Sequence, residues 1–204
     1  TLADEKFEVF APELRNEMNS WIFPLHFIDF ETSMVALPFT KGRKPYEQVA
    51  FQFSAHTLHK DGRMEHHEWI DTNQGVFPNY EFVRQLKAVL EKDDGTIFKY
   101  SPHENTVLNQ IKTQMLDDDE SKYGDLIEWI ETITSWNEGG VKGSGYRNRV
   151  DLLQMVRKYY YHPDMGGSNS IKKVLPAVMT GDAVKKKYSK PSDFGTHLKG
   201  RVLW

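Results

Sequence analysis

Asp29 and Glu31 stand one residue apart near the end of an apolar run, Pro24-Leu25-His26-Phe27-Ile28-Asp29-Phe30-Glu31-Thr32. On a strand, side chains two apart share a face, so the two carboxylates lie side by side and Phe30 points into the opposite layer. Carboxylates held close repel, and each raises the other's pKa. A divalent cation removes that conflict, and hard oxygen donors suit Mg2+ or Mn2+. A strand with two solvated acids on its exposed face is the bland alternative. The apolar character of the run favours a central strand, buried on its other face.

The elements that must position this pair follow from pattern and punctuation. Residues 11–21 form a lead-in helix, and residues 25–30 form the first strand. A loop broken by Pro38, Gly42 and Pro45 leads to alternating, aromatic-rich strands over 48–58 and 64–71, joined at an Asp61-Gly62 turn. A helix from Asn79 to about Lys92 carries Phe82, Leu86, Val89 and Leu90 on one face. A fourth strand, 96–101, returns through this helix and is therefore expected parallel to its neighbour. Ser101-Pro102 opens a helix with Val107, Leu108, Ile111 and Met115 on its apolar side, which the acidic run 117–121 breaks. A further helix spans 125–136, a Gly-rich, partly basic loop spans 137–149, and Asp151 caps a helix to Tyr161. Ser168 or Ser170 caps a last short helix, and the rest is irregular and basic.

Composition bounds the chemistry. Hydrophobic residues make up 39% of the 204 and aromatics 13%, which supports a real core and excludes a disordered chain. A net charge of −3 gives no global basic footprint, so any nucleic-acid site must be a local patch. There is no cysteine, which removes disulfides and thiolate metal sites. His66 and His67 point to opposite strand faces, as do His56 and His59, so zinc is not expected. No apolar run reaches membrane-spanning length, and the N-terminus is not a signal peptide, so a soluble cytoplasmic protein is expected. The start without Met and the apolar end Arg201-Val202-Leu203-Trp204 suggest a piece of something larger.

Three strands, a helix, a strand and then helices is the order of the ribonuclease H-like α/β fold. Its mixed central sheet has three antiparallel strands and then a parallel one, flanked by helices. In that order Glu104, at the start of the helix after the fourth strand, faces Asp29 and Glu31. The Asp29-x-Glu31 motif with Glu104 resembles the DEDD superfamily of 3′→5′ exonucleases, with Glu104 where that superfamily usually has Asp. The block PLHFIDFETSMVALPFTKGRKPYEQVAFQFSAHTL and the later DLLQMVRKYYYHPDMGGSNSIKKVLPAVM are similar to an uncharacterised bacterial family of that superfamily, often found after a Cas4-like nuclease domain.

The resemblance implies a domain over 23–180, preceded by a linker over 1–22 and followed by a basic, truncated segment over 181–204. It implies hydrolysis of DNA or RNA with Mg2+ or Mn2+. Asp29 would bridge two ions, Glu31 would bind one and Glu104 the other. His103 would hydrogen-bond the phosphate or act as base, unless its role at the helix start is structural. Asp151 is a fourth-acid candidate as well as a helix cap. Arg157, Lys172 and Lys173 are candidate phosphate contacts, with Lys142, Arg147 and Arg149 beside them, and Tyr159, Tyr160 and Tyr161 are candidate stacking groups. The superfamily's last Asp, in a helix beside Tyr or His, has no convincing counterpart before Trp204; Asp182 and Asp193 lie in poor contexts. A catalytically incomplete nucleic-acid-binding or scaffold domain of the same fold is the alternative.

Overall fold

The computed structural model describes residues 8–189. In chain order the elements are β1 (Glu8–Val9), α1 (Ala11–Met18), β2 (Leu25–Ser33), β3 (Val49–Leu58), β4 (Met64–Ile70), α2 (Asn79–Leu90), β5 (Ile97–Lys99) and α3 (His103–Ile133). There follow β6 (Ser135–Glu138), β7 (Val141–Ser144), β8 (Val150–Asp151), α4 (Leu152–Tyr159), β9 (Tyr160–Tyr161), a 3-10 turn (Pro163–Met165), α5 (Ile171–Met179) and α6 (Asp182–Tyr188). The chain divides into two compact units, Ile22–Val150 and the pair of segments Thr1–Trp21 and Asp151–Trp204.

The larger unit is built on a mixed sheet of order β4-β3-β2-β5-β8. β2 is central: β3 runs antiparallel to it on one side and β5 parallel on the other. The register slips between Glu31 and Thr32, immediately after the acid pair. Such a bulge bends the strand and re-aims the side chains beside it.

Alternation along β2 and β3 sends Ile28, Phe30, Phe53 and Ala55 to one face, where they join Phe82, Leu86, Leu108 and Ile111 in the main core. Phe82 is the hub, edge-on to Phe30 at 4.9 Å and to Phe53 at 5.6 Å between ring centroids. Buried Asn79 ties three elements by its amide. It accepts from Ala50 N–H at 2.8 Å and donates to the Gln48 carbonyl at 2.9 Å and to Gln114 Oε1 at 2.6 Å.

The parallel β2–β5 junction is locked by a buried imidazole. His26 Nε2 donates to Asp93 Oδ1 at 2.8 Å, and its Nδ1 lies 3.0 Å from Thr57 Oγ1. Burial works against the Asp93 charge, but His26, the Gly95 N–H and Arg147 outweigh it and hold the carboxyl below its usual range. A depressed carboxyl contributes stability that is in place above the unfolded value, about 3.9, and is lost as pH falls through the folded value. Asp93→Asn is therefore expected to flatten the acid side of the stability curve. Urea midpoints between about pH 3 and 6 check this; equal acid loss in both proteins would show that Asp93 carries none of it.

The acidic run does break the helix, as expected: Asp119 has extended backbone (φ −170°, ψ 94°), so α3 is two helical stretches that meet at a kink there. Several elements differ from the pattern reading. α3 ends at Ile133, so Ser135 and Trp136 are strand rather than helix. The Gly-rich stretch is not a simple loop. Gly139 and Gly140, at φ +58° and +87°, make the turn of the β6–β7 hairpin, and two positive φ values suit a tight hairpin. Residues 182–188 are helical rather than irregular, while Asp193 lies outside the described residues.

The smaller unit pairs β1 with β9, Glu8 opposite Tyr161 and Val9 opposite Tyr160. Its core gathers Met165, Val174 and Ala177, with Val156 and Tyr160 packed against them.

Candidate functional site

Asp29 and Glu31 are exposed on the face of β2 opposite the main core, as their alternation with Ile28 and Phe30 requires. Asp29 lies opposite Ser54, which lies opposite Glu68; Glu31 lies opposite Gln52. Asp29 Oδ1 accepts from the Phe30 N–H at 3.2 Å.

Glu104 enters from the start of α3. The connection from β5 passes through Ser101 at φ +89°, a left-handed conformation that costs a non-glycine residue on the order of 1–3 kcal/mol and gathers at functional sites. Glu104 is 3% exposed, and its Oε2 is buried with no hydrogen-bond partner. Burial pushes its carboxyl up, and Asp29 adds to that; its own N–H, Arg149 and His103 oppose it. The Asp29 charge is among those that act on Glu104. Among the described residues, no three His, Asp or Glu side chains form a group placed to hold a metal ion. Asp29 and Glu31 are both exposed on β2, whereas Glu104 is buried at the start of α3.

Arg149 is the counter-charge. It is 4% exposed, donates from Nε to the Ile133 carbonyl at 3.1 Å and from Nη2 to Asn105 Oδ1 at 3.3 Å. Burial lowers its pKa to about 10 against the opposing field of Glu104. His103, exposed at the first position of α3, has Nε2 3.5 Å from Thr32 Oγ1, which brings it to the end of the acid strand.

The basic loop candidates divide. Arg147 turns inward, donating to the carbonyls of Leu90 and Gly95 at 2.8 and 3.0 Å, and Arg149 is buried as described, so neither is a surface phosphate contact. Both serve to close off carbonyls at the ends of elements. Lys142 remains exposed. In the smaller unit, Asp151 caps α4 by accepting from the Leu153 N–H at 2.9 Å, and Arg157, Lys172 and Lys173 are exposed. Tyr159 donates to Glu17 Oε2 at 2.8 Å, Tyr160 packs in the small core, and Tyr161 is exposed.

Sequence reasoning missed one pair on the acid face. His56 and His66 are cross-strand partners whose rings stack at 4.3 Å, and His66 Nε2 lies 3.1 Å from Ser54 Oγ. Burial and the neighbouring His66 lower the His56 pKa. The signal was available: a hairpin centred on Asp61 places 56 opposite 66 by counting outward from the turn.

A family model described as "Domain of unknown function (DUF2779)" matches residues 26–170. No curated protein and no solved structure matches the chain. No helix among the described residues is long and apolar enough to cross a membrane.

Proposed function

We propose that this chain, which belongs to the DUF2779 family, is a divalent-metal-dependent nuclease of the ribonuclease H-like fold, removing nucleotides from 3′ ends of DNA or RNA. The observation that carries this reading is the buried, unpartnered Oε2 of Glu104 beside Asp29. A buried carboxylate without a partner is costly, and it either takes a proton or awaits a cation. The sheet order supports the same reading, with the acid pair on the middle strand and the third acid just after the parallel strand.

Carboxylate oxygens without sulfur suit Mg2+ or Mn2+, while among the described residues the three acids do not form a preassembled three-ligand group. Asp29 and Glu104 would share the ions between the strand and the helix, and Glu31 would add a ligand from the same strand face. Ions bound there would activate water and stabilise the leaving oxygen. Arg149 keeps Glu104 compatible with a buried negative charge in their absence. His103 is available at the rim to donate to a phosphate oxygen or to take a proton from water.

A non-catalytic nucleic-acid-binding domain of the same fold is the second reading, favoured by the lack of a three-ligand group among the described residues. Release of nucleotides from end-labelled single strands in Mg2+ or Mn2+, with Asp29→Ala as control, separates the two. Cleavage lost in Asp29→Ala supports the nuclease; binding without cleavage in either metal supports the second reading.

A further inference from the structure

The first half of α3 carries two stripes. Glu104, Val107, Leu108 and Ile111 face inward, while Asn105, Asn109 and Lys112, at i, i+4 and i+7, form a separate polar line. The β6–β7 hairpin is laid along that line. The side-chain amides of Asn105 and Asn109 donate to the Ser135 carbonyl at 2.9 and 3.0 Å, and the Ser135 N–H donates to Asn105 Oδ1 at 3.0 Å. An isolated two-stranded hairpin is marginal in water, and these amides help to hold it in place, together with the Gly145 and Arg147 N–H groups, which donate to the Thr134 and Thr132 carbonyls.

The hairpin presents Trp136. Its partner in register is Gly143, and a Cβ at 143 would come within 2.3 Å of the indole. Only glycine lets the ring lie across β7. The Lys112 ammonium is 5.6 Å from the ring centroid and 3.2 Å from Glu131 Oε1. Between helix and hairpin lies a cleft of about 380 Å3, within the size range of small-molecule sites. Exposed Gln110, Thr113 and Asn137 supply amide and hydroxyl groups at its edge, and no carboxylate lines it.

We propose that this cleft is a nucleobase subsite, with Trp136 as the stacking surface and the amides as edge partners. The inference rests on the nuclease reading. A flat, neutral ring with polar edges matches an indole flanked by amides, and stacking tolerates any base. The cleft is linked to Glu104 through α3 and Arg149. Asn105 follows Glu104 in the chain, and its Oδ1 accepts from Arg149, whose charge acts on Glu104.

The test is anisotropy of labelled single strands titrated with the full chain in EDTA, comparing a base-bearing strand with an abasic strand of equal length. The base-bearing strand is expected to bind about tenfold more tightly, and Trp136→Ala to remove that preference. Trp136→Phe, which keeps a ring, retains most of it. A Gln110→Ala/Asn137→Ala double variant, altered only at exposed positions, weakens the preference severalfold with an unchanged melting temperature. Equal binding of the two strands, no binding of either, or full preference in both Trp136→Ala and the double variant overturns the proposal. So does competition by a free hexose but not by mononucleotides, which assigns the cleft to a sugar ring. Adding Mg2+ to the same samples keeps the two readings apart. Asp29-dependent cleavage without base preference removes the subsite and leaves the nuclease; base preference without cleavage does the reverse.

Discussion

Asp29→Ala is expected to lower metal-dependent strand cleavage by at least about a hundredfold while leaving the fold intact. Displacing a catalytic group by a small distance already costs on the order of a hundredfold, and this change removes the carboxylate through which β2 and α3 would act together. The side chain is exposed and its recorded hydrogen bond is to the next residue's N–H, so stability should move within about 0.5 kcal/mol. Loss of a like charge near Glu104 also removes one of the influences that raise its pKa. Nucleotide release measured alongside thermal melting distinguishes the effects. A variant that melts normally and cleaves at the wild-type rate would remove Asp29 from the mechanism.

Phe82→Ala is expected to produce the largest loss of stability, about 3–5 kcal/mol. The ring is fully buried and packs edge-on against Phe30, Phe53 and Trp69, the last at 6.0 Å. Three strands and α2 meet there, so a cavity at that point cannot collapse by moving one side chain. Domains of ordinary stability have about 5–15 kcal/mol in total, so the loss is a large share. Urea denaturation of the two proteins checks it. A change below about 1 kcal/mol would show that the core closes over the missing ring.

The central strand was legible because its alternation and its two acids allow one burial pattern: Ile28 and Phe30 inward, Asp29 and Glu31 outward. Its parallel neighbour follows from the helical crossover and its antiparallel neighbour from the order of consecutive strands, and both are present. Glu104 was placed correctly at the helix start after the parallel strand, and its burial follows from its spacing to Val107, Leu108 and Ile111 on the apolar face, a signal that its charge obscured. Arg147 and Arg149 were misread for a related reason. In a Gly-rich basic stretch, charge suggests solvent, yet both guanidinium groups close open carbonyls. The β6–β7 hairpin was hidden because Trp136 continues the helical spacing of the residues before it. The turn at Gly139 and Gly140, and the pinning of Ser135 by Asn105 and Asn109, decide otherwise.

Calorimetric titration of the chain with Mn2+ near neutral pH, beside Asp29→Ala and Glu104→Gln, tests the central claim most directly. Glu104→Gln keeps the buried volume but removes the charge that faces buried Arg149, so some stability is expected to be lost and thermal melting is followed beside the titration. The wild-type chain is expected to bind Mn2+ with measurable heat, and each variant to lose that heat while still folded. Wild-type binding in Asp29→Ala and Glu104→Gln would contradict the account, because the cation would then be held by other residues.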